Sequence, residues 1–433
     1  MRSCKALLEA LQGGACDQTL SALYALDGTQ ASLDRGRDRA CHVVRSFMDA
    51  FRPAEDAPAA LFSGPGRTEI GGNHTDHQHG RVLCGSVDLD MLACAAPNGT
   101  NVIRIRSEGY PALEIGLDGL EVREEEKNTS AALVRGVAAK VKELGYTLSG
   151  FDAYAVSTVL SGSGLSSSAA YEVLIGNILN RFCCGGELDA VTIAKIGQYA
   201  ENVYFGKPCG LMDQMGSSVG GVVSIDFADP TAPVIEKVDF DLTAAGYALC
   251  IIDSGADHAD LTDEYAAVPN ELREISGHFG KTVLREIPAA DFFAALPELR
   301  GKYGDRAVLR AFHIYDENAR VTAQVYTLRG GNFDDFLALV NESGLSSWRY
   351  LQNIVPAGYT RHQEMAVALA LAERALGTVG ACRVHGGGFA GTIQAFVPLE
   401  LVDSFKGEME RVLGEGKCHV LHIRPQGGCV VAD

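Results

Sequence analysis

Apolar residues follow two different spacings along the chain, and each spacing predicts a different element. The clearest helix covers residues 168–182, where apolar side chains recur every three or four positions. Serines 166–168 can cap its start, and Gly185 and Gly186 follow its end. Similar spacing predicts further helices over residues 130–145, 262–278, 306–328, 333–343 and 360–376, and a mostly helical segment over residues 1–60.

Shorter runs of alternating or continuous apolar residues predict strands. These runs cover residues 81–96, 101–106, 151–160, 221–227, 246–253, 392–397 and 418–423. Strands and helices occur on both sides of a break near Pro230, which predicts an α+β protein with two lobes. We place the lobes at residues 1–235 and 236–433, and we expect the ligand in a cleft between them.

Composition and charge narrow the possible functions. The chain has 433 residues, 47% hydrophobic and 21% charged, which is typical of a globular protein. Its net charge of -18 disfavours nucleic acid and anionic membranes as partners. No apolar run approaches the roughly 20 residues of a membrane-spanning helix. The first residues could be a signal peptide or a surface helix, and Glu9 and Gln12 favour the helix.

The twelve cysteines are scattered, without a CxxC pair. This spacing favours buried free thiols in a reducing cytoplasm over a metal cage or a disulfide framework. The glycines, in contrast, cluster at residues 64–72, 161–164, 206–221 and 386–391. Clustered glycines indicate sharp turns or close approach to a ligand, so these segments are the candidates for chemistry.

The sequence LSGSGLSSSAAYEV, within which we place a phosphate loop at residues 160–170, joins a predicted strand to the strong helix. Glycines let the backbone wrap a phosphate, and a helix N-terminus favours negative charge. A serine hydroxyl could also be a ligand of Mg²⁺. A purely structural helix cap is the alternative, since the lysine of the common GxxxxGK[ST] loop is absent.

Residues 64–80, GPGRTEIGGNHTDHQHG, combine an arginine, carboxylates and three histidines in a glycine-rich loop. Such a loop suits a hydroxyl-rich substrate. A zinc site and a merely solvated loop are the alternatives, although the order of His and Asp does not match common zinc patterns. Two further segments carry candidate residues: AENVYFGKPCGLMDQ at 200–214, and a glycine-rich loop at 385–391 before an apolar strand.

Taken together, these segments resemble the signatures of the galactokinases, a family of GHMP kinases. Residues 64–80 are similar to GRVNLIGEHTDYNxG, residues 162–170 to GxGLSSSAA, and residues 200–214 to AE…GxPCGxMDQ. The resemblance spans roughly residues 60–430. It implies a two-lobed GHMP kinase fold, with an N-terminal ribosomal-protein-S5-like lobe that contains a left-handed βαβ unit and a C-terminal ferredoxin-like lobe.

The resemblance also implies a role for each matching residue. Asp213 is the expected catalytic base and Arg67 the expected stabiliser of the transition state. Sugar binding is expected of Asn73, His74, Asp76, Gly210 and Tyr265. ATP binding is expected of Ser107, Gly162, Ser163, Gly164, Leu165, Ser166, Ser167, Ser168 and Gly387. Mg²⁺ is expected at Ser168 and Glu201, whereas His313, Glu317 and Arg320 are expected to be structural.

The chain departs from the family pattern mainly at Asn73, where galactokinases usually have Glu; His77 and Gln78 replace Tyr and Asn. A neutral amide would tolerate an acidic sugar that a carboxylate would repel. The leading expectation is therefore phosphorylation of the C1 hydroxyl of galactose by a cytoplasmic monomer or weak homodimer. The alternatives are a kinase for a related sugar such as galacturonate, and a non-catalytic sugar sensor.

Overall fold

The computed structural model describes residues 1–159, 164–207, 209–256, 261–389 and 391–433, which fold into two sheets with helices on their faces. The strands are β1 (Arg2–Ser3), β2 (Pro58–Gly71), β3 (Arg81–Pro97), β4 (Val102–Ser107), β5 (Leu113–Gly116), β6 (Phe151–Ser157), β7 (Val222–Asp226), β8 (Val234–Val238), β9 (Tyr247–Asp253), β10 (Ala381–Val384), β11 (Thr392–Pro398), β12 (Cys418–Leu421) and β13 (Cys429–Ala432). The helices are α1 (Cys4–Gln12), α2 (Asp17–Tyr24), α3 (Gln30–Phe51), α4 (Ser130–Glu143), α5 (Ser167–Cys183), α6 (Ala190–Tyr199), α7 (Met212–Val219), α8 (Thr262–His278), α9 (Ala289–Ala294), α10 (Leu296–Tyr303), α11 (Asp305–Arg329), α12 (Phe333–Ser346), α13 (Glu364–Leu376) and α14 (Val402–Leu413).

The N-terminal lobe is organised around two long antiparallel strands, β2 and β3. They pair from Ala60 opposite Ala95 to Gly71 opposite Leu83, with two irregularities in the register. The sheet order is β1-β2-β3-β6-β4-β5, with β13 and β7 added beside β2 and β3. One face packs on α4, α5 and α6, and the other on α1, α2 and α3. The central strands are therefore covered on both faces, which explains their nearly continuous burial.

A βαβ unit lies at one side of this sheet, as the resemblance implies. Strand β4 pairs in parallel with β6, and helix α4 lies between them in the chain. The left-handed sense of this crossover remains a prediction.

The C-terminal lobe has the predicted ferredoxin-like connectivity. Its four antiparallel strands are ordered β10-β11-β9-β12, and the chain runs strand, helices, strand, strand, helix, strand. Helices α13 and α14 cover one face, and α11 and α12 pack on the other. The final strand, β13, returns to the N-terminal lobe and pairs with β2. The predicted boundary at residues 235 and 236 falls inside β8, which pairs with β7 of the N-terminal sheet, so the division into lobes at this point stays a prediction.

One sequence expectation was wrong in residues 64–80, which we call the sugar signature. Residues 58–71 form strand β2, although residues 64–80 were expected to be a loop. The expectation that residues 1–60 are mostly helical is confirmed by α1, α2 and α3. The glycines misled the interpretation because they serve close packing here. A Cβ atom at Gly64 would lie 2.3 Å from the carbonyl oxygen of Ala170 on helix α5. Glycine lets strand and helix approach each other at this point.

All twelve cysteines are free thiols within the described residues, and nine of them are buried. Among the described residues, the helices are all too short or too polar to cross a membrane.

Candidate active site

The centre of the candidate site is an ion pair between Arg67 on β2 and Asp213 in the first turn of α7. The Nε and Nη2 atoms of Arg67 lie 2.8 Å and 2.6 Å from Oδ1 of Asp213. Helix α7 can come this close because Gly216 lacks a side chain; a Cβ atom there would lie 2.9 Å from Cβ of Arg67. The predicted base and the predicted stabilising cation are therefore neighbours.

The surroundings of Asp213 keep its carboxylate ionised. Burial alone would raise its pKa, but the Arg67 guanidinium and the hydroxyl of Ser166 lower the pKa below its usual value. Arg67 is only 6% exposed, and although burial opposes its charge, Asp213 raises its pKa. Both groups are thus charged at neutral pH.

The same pair is bonded to the predicted phosphate loop. Arg67 donates from Nη1 to the carbonyl oxygen of Gly164 and from its backbone N–H to Leu165, at 3.0 Å. Ser166 donates its hydroxyl to Oδ2 of Asp213. The expectation that these serines cap the helix needs correction, because Ser166 is the N-cap residue but makes no side-chain capping bond. Gly162 and Ser163 lie outside the described residues.

The start of α5 therefore combines several features of an anion site. Ser166 has a positive φ of 58°, and the first-turn N–H groups donate no bond to the N-cap hydroxyl. Unsatisfied N–H groups and the helix dipole both favour a negative ligand. The loop thus presents its donors beside the Arg67–Asp213 pair.

Ser168 and Glu201, the two expected metal ligands, lie together behind this loop. Their Oγ and Oε1 atoms are 3.1 Å apart, and Glu201 is fully buried in a π-helical turn, Ala200–Phe205. Gln214 donates at 2.8 Å to Oε2 of Glu201 and at 2.9 Å to Glu172. Two hard oxygen donors suit Mg²⁺, which usually takes few protein ligands together with substrate phosphates.

Within the described residues, no group of three or more His, Cys, Asp or Glu side chains is arranged to hold a metal ion. Glu172 has one buried oxygen without a described hydrogen-bond partner, and burial raises its pKa well above the usual value. Ser168 and Glu201 therefore supply two oxygen donors, and any further ligands of a cation would have to come from substrate or solvent.

Asp76 and His74, two residues predicted to bind the sugar, lie beside Gly210 and Gly387, which were also predicted to belong to the site. A Cβ atom at Gly210 would lie 2.5 Å from a carboxylate oxygen of Asp76, so this approach requires glycine. Burial raises the pKa of Asp76 to about 6, although the backbone N–H of His77 partly opposes this rise. His74 contacts the carbonyl oxygen of Gly387 through Nε2 at 3.0 Å, and burial lowers its pKa.

Asn73 is fully buried and belongs to a network between the lobes. Its Nδ2 atom donates to Glu69 at 3.1 Å and to the Gly386 carbonyl at 2.6 Å. Its Oδ1 atom accepts from Asn353 at 3.0 Å and from Ser347 at 3.3 Å. An amide has two donors and two main acceptor positions, and all four are used here. A direct sugar contact by Asn73 therefore remains a prediction without support from this geometry.

Tyr265 lies against the C-terminal glycine-rich loop. Its hydroxyl donates to the Gly388 carbonyl at 2.7 Å, and its ring packs edge-on against Phe389. A Cβ atom at Gly387 would lie 2.9 Å from this ring. Tyr265 and Gly387 therefore shape one wall of the site, at the end where His74 also contacts the loop.

Ser107 lines a cavity of about 390 Å³, and Ser167 and Ser168 line the same cavity. The wall is largely apolar and is formed by Met91, Ile105, Leu113, Leu133, Val156, Val159, Tyr171 and Phe205. A mainly apolar cavity that ends at a helix N-terminus has the character of a small-molecule site. Ser107 thus lines one cavity with Ser167 and Ser168, and its role in ATP binding stays a prediction.

Some residues of the site carried no signal that could be interpreted from the sequence. Glu172 falls among apolar residues of α5, and Glu69 and Arg383 are 314 positions apart although they form a buried ion pair of 2.5 Å. Gln214 follows Asp213 directly, but its contact with Glu201 depends on how α7 packs against the π-helical turn. Such contacts become visible only with the tertiary structure.

Models of known families match two parts of the chain. Residues 132–221 match the GHMP kinases N terminal domain, and residues 45–97 match the galactokinase galactose-binding signature. The galactokinase of Streptomyces coelicolor is 30% identical over 369 residues, which cover 85% of this chain and 92% of that protein. The galactokinase of Glaesserella parasuis is 30% identical over 79% of this chain and 86% of its own length.

Solved structures agree with this assignment of the fold. Lactococcus lactis galactokinase, solved with galactose, gives a TM-score of 0.74 at 24% identity and covers 89% of this chain and 98% of its own. Methanococcus jannaschii mevalonate kinase gives 0.61 at 13% identity, covering 86% and 99%. The chain belongs to the galactokinase family of the GHMP kinases. It is a sugar kinase, and kinases of this family use ATP.

Proposed function

We propose that this enzyme transfers the γ-phosphoryl group of ATP to the anomeric hydroxyl of galactose, with Asp213 as base and Arg67 as the stabilising cation. The observation that carries the assignment of roles is the double contact of Asp213. One of its carboxylate oxygens accepts from Arg67 and the other from Ser166 of the phosphate loop. These contacts support a position of the ionised carboxylate between the sugar and the ATP phosphates.

In the proposed reaction, Asp213 orients the C1 hydroxyl of the sugar and accepts its proton. The sugar oxygen forms a bond to the γ-phosphorus while the bond between that phosphorus and its bridging oxygen breaks, and ADP leaves. Arg67 offsets the negative charge that develops on the transferring group. Because the pKa of Asp213 is below its usual value, the base is ready at neutral pH.

The phosphate loop and the carboxylate behind it position the nucleotide. The N–H groups at the start of α5 are proposed to bind the phosphates, and the cavity beside Ser107 the base. Ser168 and Glu201 would hold Mg²⁺, which when bound neutralises charge on the phosphate oxygens. Gln214 fixes the Glu201 carboxylate by donating to its second oxygen.

For the sugar, the proposal assigns Asp76, His74, Gly210 and Tyr265 to the binding surface. Asp76 can accept hydrogen bonds from sugar hydroxyls, while Gly210 leaves room beside its carboxylate. Asn73 is assigned an indirect role through its bond to the Gly386 carbonyl. As expected from the sequence, the enzyme is proposed to be a cytoplasmic monomer or weak homodimer that binds neither nucleic acid nor membranes.

Galacturonate is the second candidate, and one observation favours testing it. The family places a carboxylate at the position of Asn73, whereas here the carboxylate is on Glu69, where it pairs with Arg383. The negative charge of Glu69 is thus paired with Arg383, while position 73 itself carries no charge. ADP release should be measured with galactose, galacturonate and other hexoses. The proposal predicts turnover with galactose; binding of galactose and ATP without ADP release would instead indicate a sensor.

A further inference from the structure

Residues 4–51, which include α1, α2 and α3, form a helical layer that contacts the strands around the proposed nucleotide cavity. We call these residues the N-terminal helical layer. Its apolar side chains pack on the face of the sheet opposite α5, against Leu61, Leu92, Cys94 and Val156. Val156 also lines the nucleotide cavity, so the layer forms the support of one cavity wall.

A buried carboxylate, Asp90 on β3, is the main link between this layer and the cavity. Asp90 is fully buried. The layer donates to it twice, from Arg39 at 2.5 Å and from the hydroxyl of Tyr24 at 2.7 Å. Arg424 donates from the C-terminal segment at 3.2 Å. An anion with this burial and these partners is held in one position.

The backbone of Asp90 forms hydrogen bonds with Thr158, which lies just before the phosphate loop. The Asp90 carbonyl accepts from the backbone N–H of Thr158 at 2.9 Å and from Arg39 at 3.1 Å. The N–H of Asp90 donates to the Thr158 hydroxyl at 3.0 Å. The neighbours Met91 and Val159 both line the nucleotide cavity. Arg39 and the backbone N–H of Thr158 therefore donate to the same carbonyl oxygen of Asp90.

A second group of contacts holds the strand that carries Ser107. Phe51 of the layer lies under the guanidinium of Arg106, 5.4 Å from it, and His42 lies 3.0 Å from Glu108. These two positions flank Ser107, and Glu108 itself lines the cavity. The layer thus contacts both β3 and β4 where they border the cavity.

We propose that the N-terminal helical layer positions the nucleotide-binding wall, with Arg39 as a positioning residue that acts through Asp90 and Thr158. This inference rests on the proposed nucleotide site. Loss of Arg39 should weaken nucleotide binding and leave sugar binding unchanged, because the proposed sugar residues His74 and Tyr265 contact the C-terminal glycine-rich loop and not Asp90.

The test is calorimetric binding of ADP and of galactose to the full-length chain carrying Arg39→Met. The matched control is Arg37→Met on the same helix, where the arginine pairs with Asp17 at 2.8 Å and does not contact Asp90. We expect the dissociation constant for ADP to rise about fivefold for Arg39→Met, as residues that couple indirectly to a site often do. Neither ligand should bind differently to Arg37→Met.

Equal ADP affinity in the two variants, or an equal loss of ADP and galactose affinity in Arg39→Met, would overturn the proposal. If Arg39→Met does not fold, Tyr24→Phe removes a single bond to the same carboxylate and gives the same test. Ser130→Trp tests the location of the nucleotide site separately from the positioning role of Arg39, because Ser130 lines the cavity. If wild-type protein binds ADP and Ser130→Trp does not weaken it, the nucleotide site itself is misplaced.

Discussion

At the scale of single residues, the carboxylates of the site differ in their electrostatic surroundings. Asp213 faces Arg67, and its pKa is below the usual value, although burial alone would raise it. Among the described residues no cation forms an ion pair with Asp76, and burial raises its pKa to about 6, although the backbone N–H of His77 and the more distant Arg67 oppose the rise. The two carboxylates thus ionise in different pH ranges, which supports the proposal that Asp213 takes the proton and Asp76 binds the sugar.

This difference predicts a pH dependence of sugar binding. Ionised Asp76 can only accept hydrogen bonds, and protonation below pH 6 removes this capacity at one oxygen. The KM for galactose should therefore rise as the pH falls through about 6, while kcat changes less because Asp213 stays ionised. Steady-state kinetics between pH 4.5 and 8 measures this. Asp76→Asn should abolish the inflection; a flat KM with a falling kcat would contradict the assignment.

The exchange of charge between positions 69 and 73 gives a second prediction. Asn73→Glu places a second carboxylate beside Glu69, and Glu69→Asn leaves buried Arg383 without its close partner. Each single change should lower the melting temperature, whereas the double change Glu69→Asn with Asn73→Glu should recover most of the loss. Additive losses would show that the pair is not coupled.

The same variants test sugar preference. The double variant should favour galactose over galacturonate more strongly than the wild type does, since it restores a carboxylate at position 73. The measurement is the ratio of kcat/KM for the two sugars. If Asn73→Glu, alone and in the double variant, leaves this ratio unchanged, position 73 does not set the preference.

At the scale of elements, the spacing of apolar residues predicted helix α5, whose pattern repeats along the chain. It did not predict strand β2, whose glycines are explained only by packing. The stripe along α5 predicted that helix to within one residue at each end. Strand β2 was missed because Gly64, Gly66 and Gly71 are typical of turns, whereas here they are sites of close approach. Motif spacing identified the candidate residues of three segments, but their convergence at Asp213 depends on strand order and helix packing.

The close contact between β2 and α5 predicts a large effect of one methyl group. Gly64→Ala would place Cβ 2.3 Å from the Ala170 carbonyl and 3.0 Å from the Leu174 nitrogen, so α5 would have to move. We expect a loss of about 1–3 kcal/mol in the free energy of unfolding. Gly116→Ala on β5 is the control, since no atom lies within 4 Å of its Cβ position. Equal melting temperatures would contradict the packing argument.

At the scale of the whole molecule, a buried polar network joins the lobes beneath the sugar side. Glu317 on α11 accepts from the backbone N–H of Gly72 at 3.1 Å and from Ser343 at 2.7 Å, and it pairs with Arg320. His313 contacts the Asn73 carbonyl at 2.9 Å. The expectation that these helix residues are structural agrees with their contacts, because they hold the sugar signature in place.

Glu317→Gln should therefore destabilise the protein strongly. Burial alone would raise the pKa of Glu317, but His313, Arg320 and Arg383 lower it to about 2. Its contribution is thus present above the ordinary value near 4.5 and is lost as the pH falls through about 2. We expect a loss of about 3–5 kcal/mol at neutral pH, measured by urea unfolding.

Glu342→Gln is the matched control, because Glu342 is 62% exposed and lies 3.8 Å from the same Arg320. It should cost at most about 1 kcal/mol. Similar losses in the two variants would mean that the network does not hold the lobes together.

The most direct test of the account is the product formed from ATP and galactose, analysed by phosphorus and proton NMR, with wild-type enzyme and Asp213→Asn. The account predicts a phosphate on the anomeric oxygen with the wild type. It also predicts a kcat lowered by about 10²–10⁴ in Asp213→Asn, with ADP and galactose still bound. A phosphate on another hydroxyl, or an unchanged kcat in Asp213→Asn, would contradict it.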